Sequence, residues 1–239
     1  MDVRSVPLKF FATPPHSCSY LPNRDAVTVF ADPRSSMTPT IYSRLIDSGF
    51  RRSGEYVYCP DCRECNACIS ARIPVHKFAP NRAQRRTLLN NTDINVVVTD
   101  ARFNREHYAL YQRYIHWRHA GGGMDEVDPN KYRSFLESTW CTTWLVEFRL
   151  RGTLVAVACT DVLDQGLSAV YTFYSPDHVK RGLGVLAVLW QIEEARRLGM
   201  TWVYLGYWIE NCEKMRYKTQ YQPLELLTPQ GWQARSTTP

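Results

Sequence analysis

Residues 169–221 read AVYTFYSPDHVKRGLGVLAVLWQIEEARRLGMTWVYLGYWIENCEKMRYKTQY, and the order of patterns in this stretch decides the fold. It is entered on a strand, 167–174, rich in the β-branched and aromatic side chains that suit a pleated, half-buried surface. A short loop leads to Lys180-Arg181-Gly182-Leu183-Gly184. An apolar helix pattern then runs over about 185–198 and stops at Gly199, a residue type that takes the left-handed conformation at helix ends. Residues 201–206 form another strand, and a polar, aromatic tail ends at Tyr221, with Pro223 just beyond. Glycines at a helix start let a ligand approach the backbone, and unpaired N–H groups there favour phosphate. Arg181 adds charge at that point. The same Gly182 and Gly184 could equally serve only to pack the helix on the sheet.

Immediately upstream, 143–150 and 153–163 read as strands joined by the tight hairpin Arg151-Gly152. Three antiparallel strands, a helix and a further strand resemble the heart of the GNAT acyltransferase fold. That superfamily binds the pyrophosphate of its acyl donor with an R/Q-x-x-G-x-G/A turn, of which Arg181-Gly182-Leu183-Gly184 is a shortened form. The expected class is α+β: a GNAT-like transferase domain over 101–239 and a smaller cysteine-containing α/β domain over 1–100.

Composition is that of an ordinary globular protein, and 239 residues suffice for one large or two small cores. No apolar run reaches the ~18 residues that span a membrane, and no signal-peptide core follows Arg4 and Lys9, so a cytoplasmic location is expected. The net charge of +6 is too small to name a partner. Its distribution says more: between residues 63 and 90, Arg63, Arg72, Lys77, Arg82, Arg85 and Arg86 face only Glu64. Such a local patch suits phosphate. Asn81 opens a helix pattern to about Leu89, which puts Arg82, Arg85 and Arg86 on one face. That face is either merely solvated or turned to phosphate.

Thr38-Pro39 opens a helix with the stripe Ile41, Tyr42, Leu45 and Ile46, closed by Gly49. Short strands are expected at 26–30, 55–58, 69–75 and 94–99. A longer helix, 105–119, breaks at Gly121-Gly122-Gly123, where a mobile loop is expected. Asp128-Pro129 caps another short helix.

Cys59-Pro-Asp-Cys62-Arg-Glu-Cys65-Asn-Ala-Cys68 is dense enough to be a ligand set for zinc or an iron–sulfur cluster. All four are too tightly looped to wrap one tetrahedral ion. Three of them with Cys18 or His16 make a better set, and the alternative is a group of reduced, partly buried thiols.

Several ordered strings carry a wider resemblance. Phe10-Phe11-Ala12-Thr13 and His16-Ser17-Cys18-Ser19-Tyr20-Leu21-Pro22 begin it; Asn66-Ala67-Cys68, Arg72-Ile73-Pro74-Val75 and Gln84-Arg85-Arg86 continue it. Ala169-Val170-Tyr171-Thr172-Phe173-Tyr174, Tyr204-Leu205-Gly206-Tyr207-Trp208-Ile209 and Tyr217-Lys218-Thr219-Gln220-Tyr221 extend it over about 10–227. Together they closely resemble the bacterial aspartate/glutamate leucyltransferases, relatives of the arginyl-tRNA–protein transferases. Cys18, Cys62, Cys65 and Cys68 fit the family's recurring cysteines; Cys59 departs from them.

The resemblance implies transfer of leucine from Leu-tRNA to the α-amine of proteins beginning with Asp or Glu, marking them for degradation. It recasts Arg181, Gly182 and Gly184 as contacts for the terminal nucleotides, with Arg82, Arg85 and Arg86 on tRNA phosphates. The ester is already activated, so no cofactor is required for transfer, and the enzyme mainly aligns amine and carbonyl. Donors for the developing oxyanion and the departing ribose oxygen are expected from Tyr171, Tyr207 and Tyr217 and from backbone N–H groups up to Asn211. Lys214 or Lys218 is expected to hold the acidic side chain of the acceptor. An arginine donor, an acetyl-coenzyme A-dependent GNAT, or a metal-stabilised tRNA-binding module without turnover are the alternatives.

Overall fold

The computed structural model describes residues 8–118 and 128–236, so the break expected at Gly121, Gly122 and Gly123 lies outside the described residues. Chain order begins β1 (Phe10–Ala12), β2 (His16–Ser17), β3 (Asp25–Ala26), β4 (Thr28–Ala31), α1 (Pro39–Asp47), β5 (Arg51–Ser53), β6 (Tyr56–Pro60) and β7 (Ile69–Pro74). It continues with α2 (Arg82–Leu89), β8 (Ile94–Asp100), α3 (Arg105–Arg118), α4 (Pro129–Leu136), β9 (Thr143–Leu150), β10 (Thr153–Val162) and β11 (Gly166–Tyr174). α5 (Leu183–Arg197), β12 (Trp202–Trp208), the single turn α6 (Glu213–Arg216), β13 (Glu225–Thr228) and β14 (Gly231–Ala234) complete it.

Local chemistry sets the helix starts. Thr38 Oγ1 accepts the Ile41 N–H at 3.2 Å, and Pro39 fills the first turn, where its missing N–H costs nothing. Asn81 and Gln84 form a reciprocal capping box at the start of α2, 2.9 and 2.8 Å, worth about 1 kcal/mol. The hairpin between β9 and β10 turns on Arg151 and Gly152, both at positive φ. The loop expected after β11 is instead a 3-10 helix, Pro176–Arg181.

β9, β10 and β11 are antiparallel, and β12 returns parallel to β11 after α5, as expected. They belong to an eight-stranded sheet in the order β14-β13-β7-β12-β11-β10-β9-β8. β7 and β8, from residues 1–100, are therefore strands of the sheet built mainly by residues 101–239. A separate four-stranded sheet, β1-β4-β6-β5, stays with the N-terminal part.

α5 covers one face of the large sheet, packing Val188, Leu189 and Ile192 on Leu167, Val203 and Leu205. On the other face, Tyr111, Tyr114 and Tyr132 from α3 and α4 pack on Phe173, and α1 packs Tyr42 near Leu163 and Tyr204. Truncating a fully buried side chain such as Ile192 to Ala would cost about 2–5 kcal/mol, from lost transfer energy plus the cavity left behind. A buried charge cluster ties the N-terminal part to the large sheet. Arg52 Nε and Nη2 bind Asp161 at 2.6 and 2.5 Å, and Tyr42 Oη and Thr143 Oγ1 donate to the same carboxylate at 2.6 and 2.7 Å.

The large sheet splits at its centre. β11 and β12 pair over three residues only, Gly166 with Trp202, Leu167 with Val203 and Ser168 with Tyr204, and then part. Two irregularities accompany the split. Against β10, Cys159 pairs with Tyr171 but Thr160 with Ala169, leaving Val170 as a bulge. β12 slips against β7 between Tyr204 and Gly206, where Gly206 has φ +75°.

Candidate active site

The split is wedged open by Arg51, a residue of β5. Its Nη2 donates to the Ala169 and Val170 carbonyls at 2.7 and 3.4 Å, and its Nη1 to Ser168 Oγ at 3.2 Å. Carbonyls that a neighbouring strand would have paired are thus satisfied by a side chain. Gly206 makes room for it: a Cβ there would lie 2.8 Å from the guanidinium carbon, and the positive φ independently favours glycine.

At the C-terminal end of β12, the Tyr207 hydroxyl lies 3.0 Å from the Gly49 carbonyl and 3.3 Å from that of Tyr58. Burial pushes its ionisation far above the ordinary phenol range. The hydroxyl is held by backbone, so it is not the free oxyanion donor expected of it. Lys218 is only 3 % exposed, and its Nζ donates to the Tyr207 carbonyl and lies 3.4 Å from Met215 Sδ. Burial first, then the nearby Arg51 charge, lowers its amine to about 7. Lys214 and Asn211 are exposed instead. α6 is one turn long and passes into a 3-10 turn, Tyr217–Gln220, so the two lysines do not share a face.

Beside the split, β11 carries an aromatic cluster. Tyr171 packs edge-on against Tyr111, Tyr114 and Phe135, with ring centroids 6.2, 6.2 and 5.1 Å apart. Tyr114 and Trp117 continue the cluster to Tyr174 at 5.0 and 6.1 Å. Tyr217, 43 % exposed as a residue, sets its ring edge-on to buried Tyr221 at 6.5 Å, and burial of its phenol end raises its ionisation above the ordinary range. The start of α5 meets the aromatic cluster, since a Cβ on Gly184 would touch Tyr174 at 3.5 Å. Gly182 adopts φ +67° and leads into the helix. Arg181 does not project a free guanidinium: Asp93 takes it with two bonds, 2.8 and 2.9 Å. Its role there is to join the α2–β8 connection to the start of α5.

Arg82, Arg85 and Arg86 are all exposed on α2. That helix is fastened to the lysine turn through Gln84 Nε2 and Asn81 Nδ2, which reach the Gln220 carbonyl at 3.1 and 3.3 Å. Exposed Arg82, Arg85 and Arg86 therefore stand on a helix tied directly to the turn that carries buried Lys218.

All eight cysteines are free thiols. Cys18 Sγ accepts the N–H groups of Tyr20 and Leu21 at 3.5 and 3.4 Å, and the Cys65 N–H bonds the Cys62 carbonyl at 3.3 Å. Burial pushes the Cys68 thiol up to about 12, with Cys18, Cys62, Cys65 and then Cys212 the next contributors, so these sulfurs lie in the neighbourhood of Cys68. Cys59 lies in β6, and beyond its burial only Asp61 acts on it. Among the described residues, no group of three or more His, Cys, Asp or Glu side chains is closed tightly enough to hold an ion as it stands. The donor set itself is suitable: four thiols, one already accepting amide N–H bonds of the sort that stabilise a bound thiolate.

The arginine-tRNA-protein transferase family matches in two pieces, its N terminus at residues 16–86 and its C terminus at 106–228. The chain belongs to the arginine-tRNA-protein transferase family. Among its relatives, the aspartate/glutamate leucyltransferase of Pseudomonas putida (strain GB-1) is 53% identical over 225 residues, 94% of this chain and 96% of that one. The aspartate/glutamate leucyltransferase of Pseudomonas aeruginosa (strain LESB58) is 53% identical over 227 residues, 95% and 97%. Of solved structures, the C-terminal domain of a protein described as a lysylphosphatidylglycerol synthetase from Agrobacterium fabrum overlaps 70% of this chain and 51% of that one, at 14% identity and TM-score 0.46.

In this transferase the N-terminal match holds Cys18, the cysteine loop and the first turn of α2, and the C-terminal match holds the split strands and the lysine turn. Arg51 and Tyr58 went unnoticed in sequence reasoning. Arg51 stands beside another arginine in an unremarkable strand, and its partners lie more than a hundred residues away. Gly206 was the available signal, a glycine inside an otherwise apolar strand, which often marks a bulge or a close approach.

Proposed function

We infer that the chain is an aspartate/glutamate leucyltransferase, moving leucine from its tRNA ester to the α-amine of a protein that begins with Asp or Glu. What carries this reading is the 53% identity to enzymes so named, over nearly their whole length. The neutral amine attacks the ester carbonyl, the C–N bond forms, and the C–O bond to ribose breaks. The ribose oxygen takes up a proton, so one amide and one free tRNA 3′ end result. An α-amine with pKa roughly 7.7–8 is partly neutral at physiological pH, so alignment contributes more than a strong base.

The aromatic cluster of Tyr114, Tyr171 and Tyr174 suits the terminal adenosine by stacking. Tyr217, at the surface where Tyr207 is buried, is the phenol assigned to the departing or developing oxygen. Arg82, Arg85 and Arg86 are the surface for tRNA phosphates. Cys18, Cys62, Cys65 and Cys68 would hold zinc or an iron–sulfur cluster, which would cross-link the N-terminal segment to the cysteine loop while transfer itself proceeds without it. Among the described residues no helix is long and apolar enough to cross a membrane.

The test is transfer of label from Leu-tRNA and Arg-tRNA to peptides beginning Asp, Glu or Ala. Leucine should appear on the Asp and Glu peptides alone. Label arriving only from Arg-tRNA would move the donor to arginine, and no transfer from either would end the transferase reading.

A further inference from the structure

We propose that Arg51 binds the side-chain carboxylate of the acceptor's first residue in the wedge between β11 and β12. The proposal rests on the leucyltransferase reading and adds the residue that recognises its acceptor.

Charge accounting singles Arg51 out. Its neighbour Arg52 is neutralised by Asp161, Arg72 by Asp47 and Glu225, Arg149 by Glu106 and Glu147, and Arg181 by Asp93. Among the described residues, Arg51 meets no carboxylate within ion-pair distance. Its contacts are the neutral oxygens of Ser168, Ala169 and Val170. A half-buried guanidinium surrounded by neutral groups has lost water without gaining a counter-ion, and an incoming anion would supply one. Lys218 lies near enough for the Arg51 charge to lower its amine further, and it supplies no acid to the guanidinium. Tyr58 and Tyr207 face the same charge and add no acid.

Geometry favours a carboxylate. A guanidinium has five N–H donors in a planar fork; three contacts and the backbone at Gly206 fix its plane, and donors remain for one more anion. A fork held this way matches the two oxygens of an Asp or Glu side chain. The phosphates of a tRNA have the exposed arginine face of α2, whereas Arg51 is half-buried. A gap between two strands suits a single side chain better than a polyanion.

The experiment measures Michaelis constants for Leu-tRNA and for peptides beginning Asp, Glu and Asn, with wild type, Arg51→Gln and Ser168→Asp. The second variant places a carboxylate beside Arg51, where the Ser168 hydroxyl is 3.2 Å from Nη1, and neutralises the guanidinium without removing it. Both variants should raise the constant for Asp and Glu peptides about 10- to 100-fold, as expected for losing one charge-assisted pair. The constant for Leu-tRNA should stay within about twofold, and the preference for Asp over Asn should collapse. If Arg51→Gln fails to fold, Ser168→Asp decides alone. A rise for Leu-tRNA alone would assign the site to phosphate, and equal losses for both substrates would make Arg51 structural; either overturns the proposal. Wild type without transfer from Leu-tRNA removes the leucyltransferase reading and this proposal together. Normal wild-type transfer with unchanged acceptor constants in the variants removes this proposal only.

Discussion

Lys218 carries the sharpest consequence at the scale of one residue. An unfolded lysine keeps its proton to about 10.4, whereas burial and Arg51 let the folded amine release its proton near 7. Between those values the unfolded chain binds more protons, so stability at this site rises with pH from about 7 to about 10. The slope is at most about 1.4 kcal/mol per pH unit, and below 7 the destabilisation is full and constant. Lys218→Met abolishes the titration. Relative to wild type it should be most stable near pH 6 and lose ground steadily to pH 9, measured by urea unfolding at several pH values. A difference that ignores pH would mean the buried amine titrates normally.

At the scale of elements, the cysteine loop is a set of tight turns without a core of its own. Cys18 is held by its own Tyr20 and Leu21 amides, and Cys62 with Cys65 closes a narrow bridge. Protein purified without oxygen should carry about one zinc ion or one cluster per chain. Cys65→Ser should lose it, whereas Cys59→Ser should keep it, because Cys59 sits in β6 opposite Val29 and takes little part in the group. Protein purified without oxygen that carries no metal and has four freely titrating thiols would rule the site out.

For the whole molecule, the modest charge of +6 matters through its placement. α2 presents Arg82, Arg85 and Arg86 to solvent while its other side is fastened to the turn of the active site. If these arginines lie on phosphates, each removed contact releases about one fewer counterion. The triple Ala variant should then flatten the log–log salt dependence of Leu-tRNA binding by up to about three units and raise the Leu-tRNA constant. The peptide constant should hold. Unchanged salt slope and affinity, with the fold intact, would leave α2 a solvated face. A peptide constant rising alone would place the acceptor there instead.

The sequence by itself determined the elements whose causes are local. The strand–glycine–helix–strand order around α5, the Arg151-Gly152 hairpin, the Thr38 and Asn81 caps and the outward face of α2 all follow from period, turn chemistry and capping within a few residues. The grouping of Cys18 with Cys62, Cys65 and Cys68, apart from Cys59, came from resemblance together with the tightness of the loops. Tertiary structure decided what long-range pairing controls. Strands β7 and β8 join the large sheet because their partners, β12 and β9, come much later in the chain. Arg181 is taken by Asp93, the Tyr207 hydroxyl by the Gly49 carbonyl, and Lys218 turns inward where Lys214 does not. Nor could local sequence separate Arg51 from Arg52. Adjacent residues of a strand point to opposite sides, and only the packed sheet gives one of them Asp161 and leaves the other in a gap without an acid.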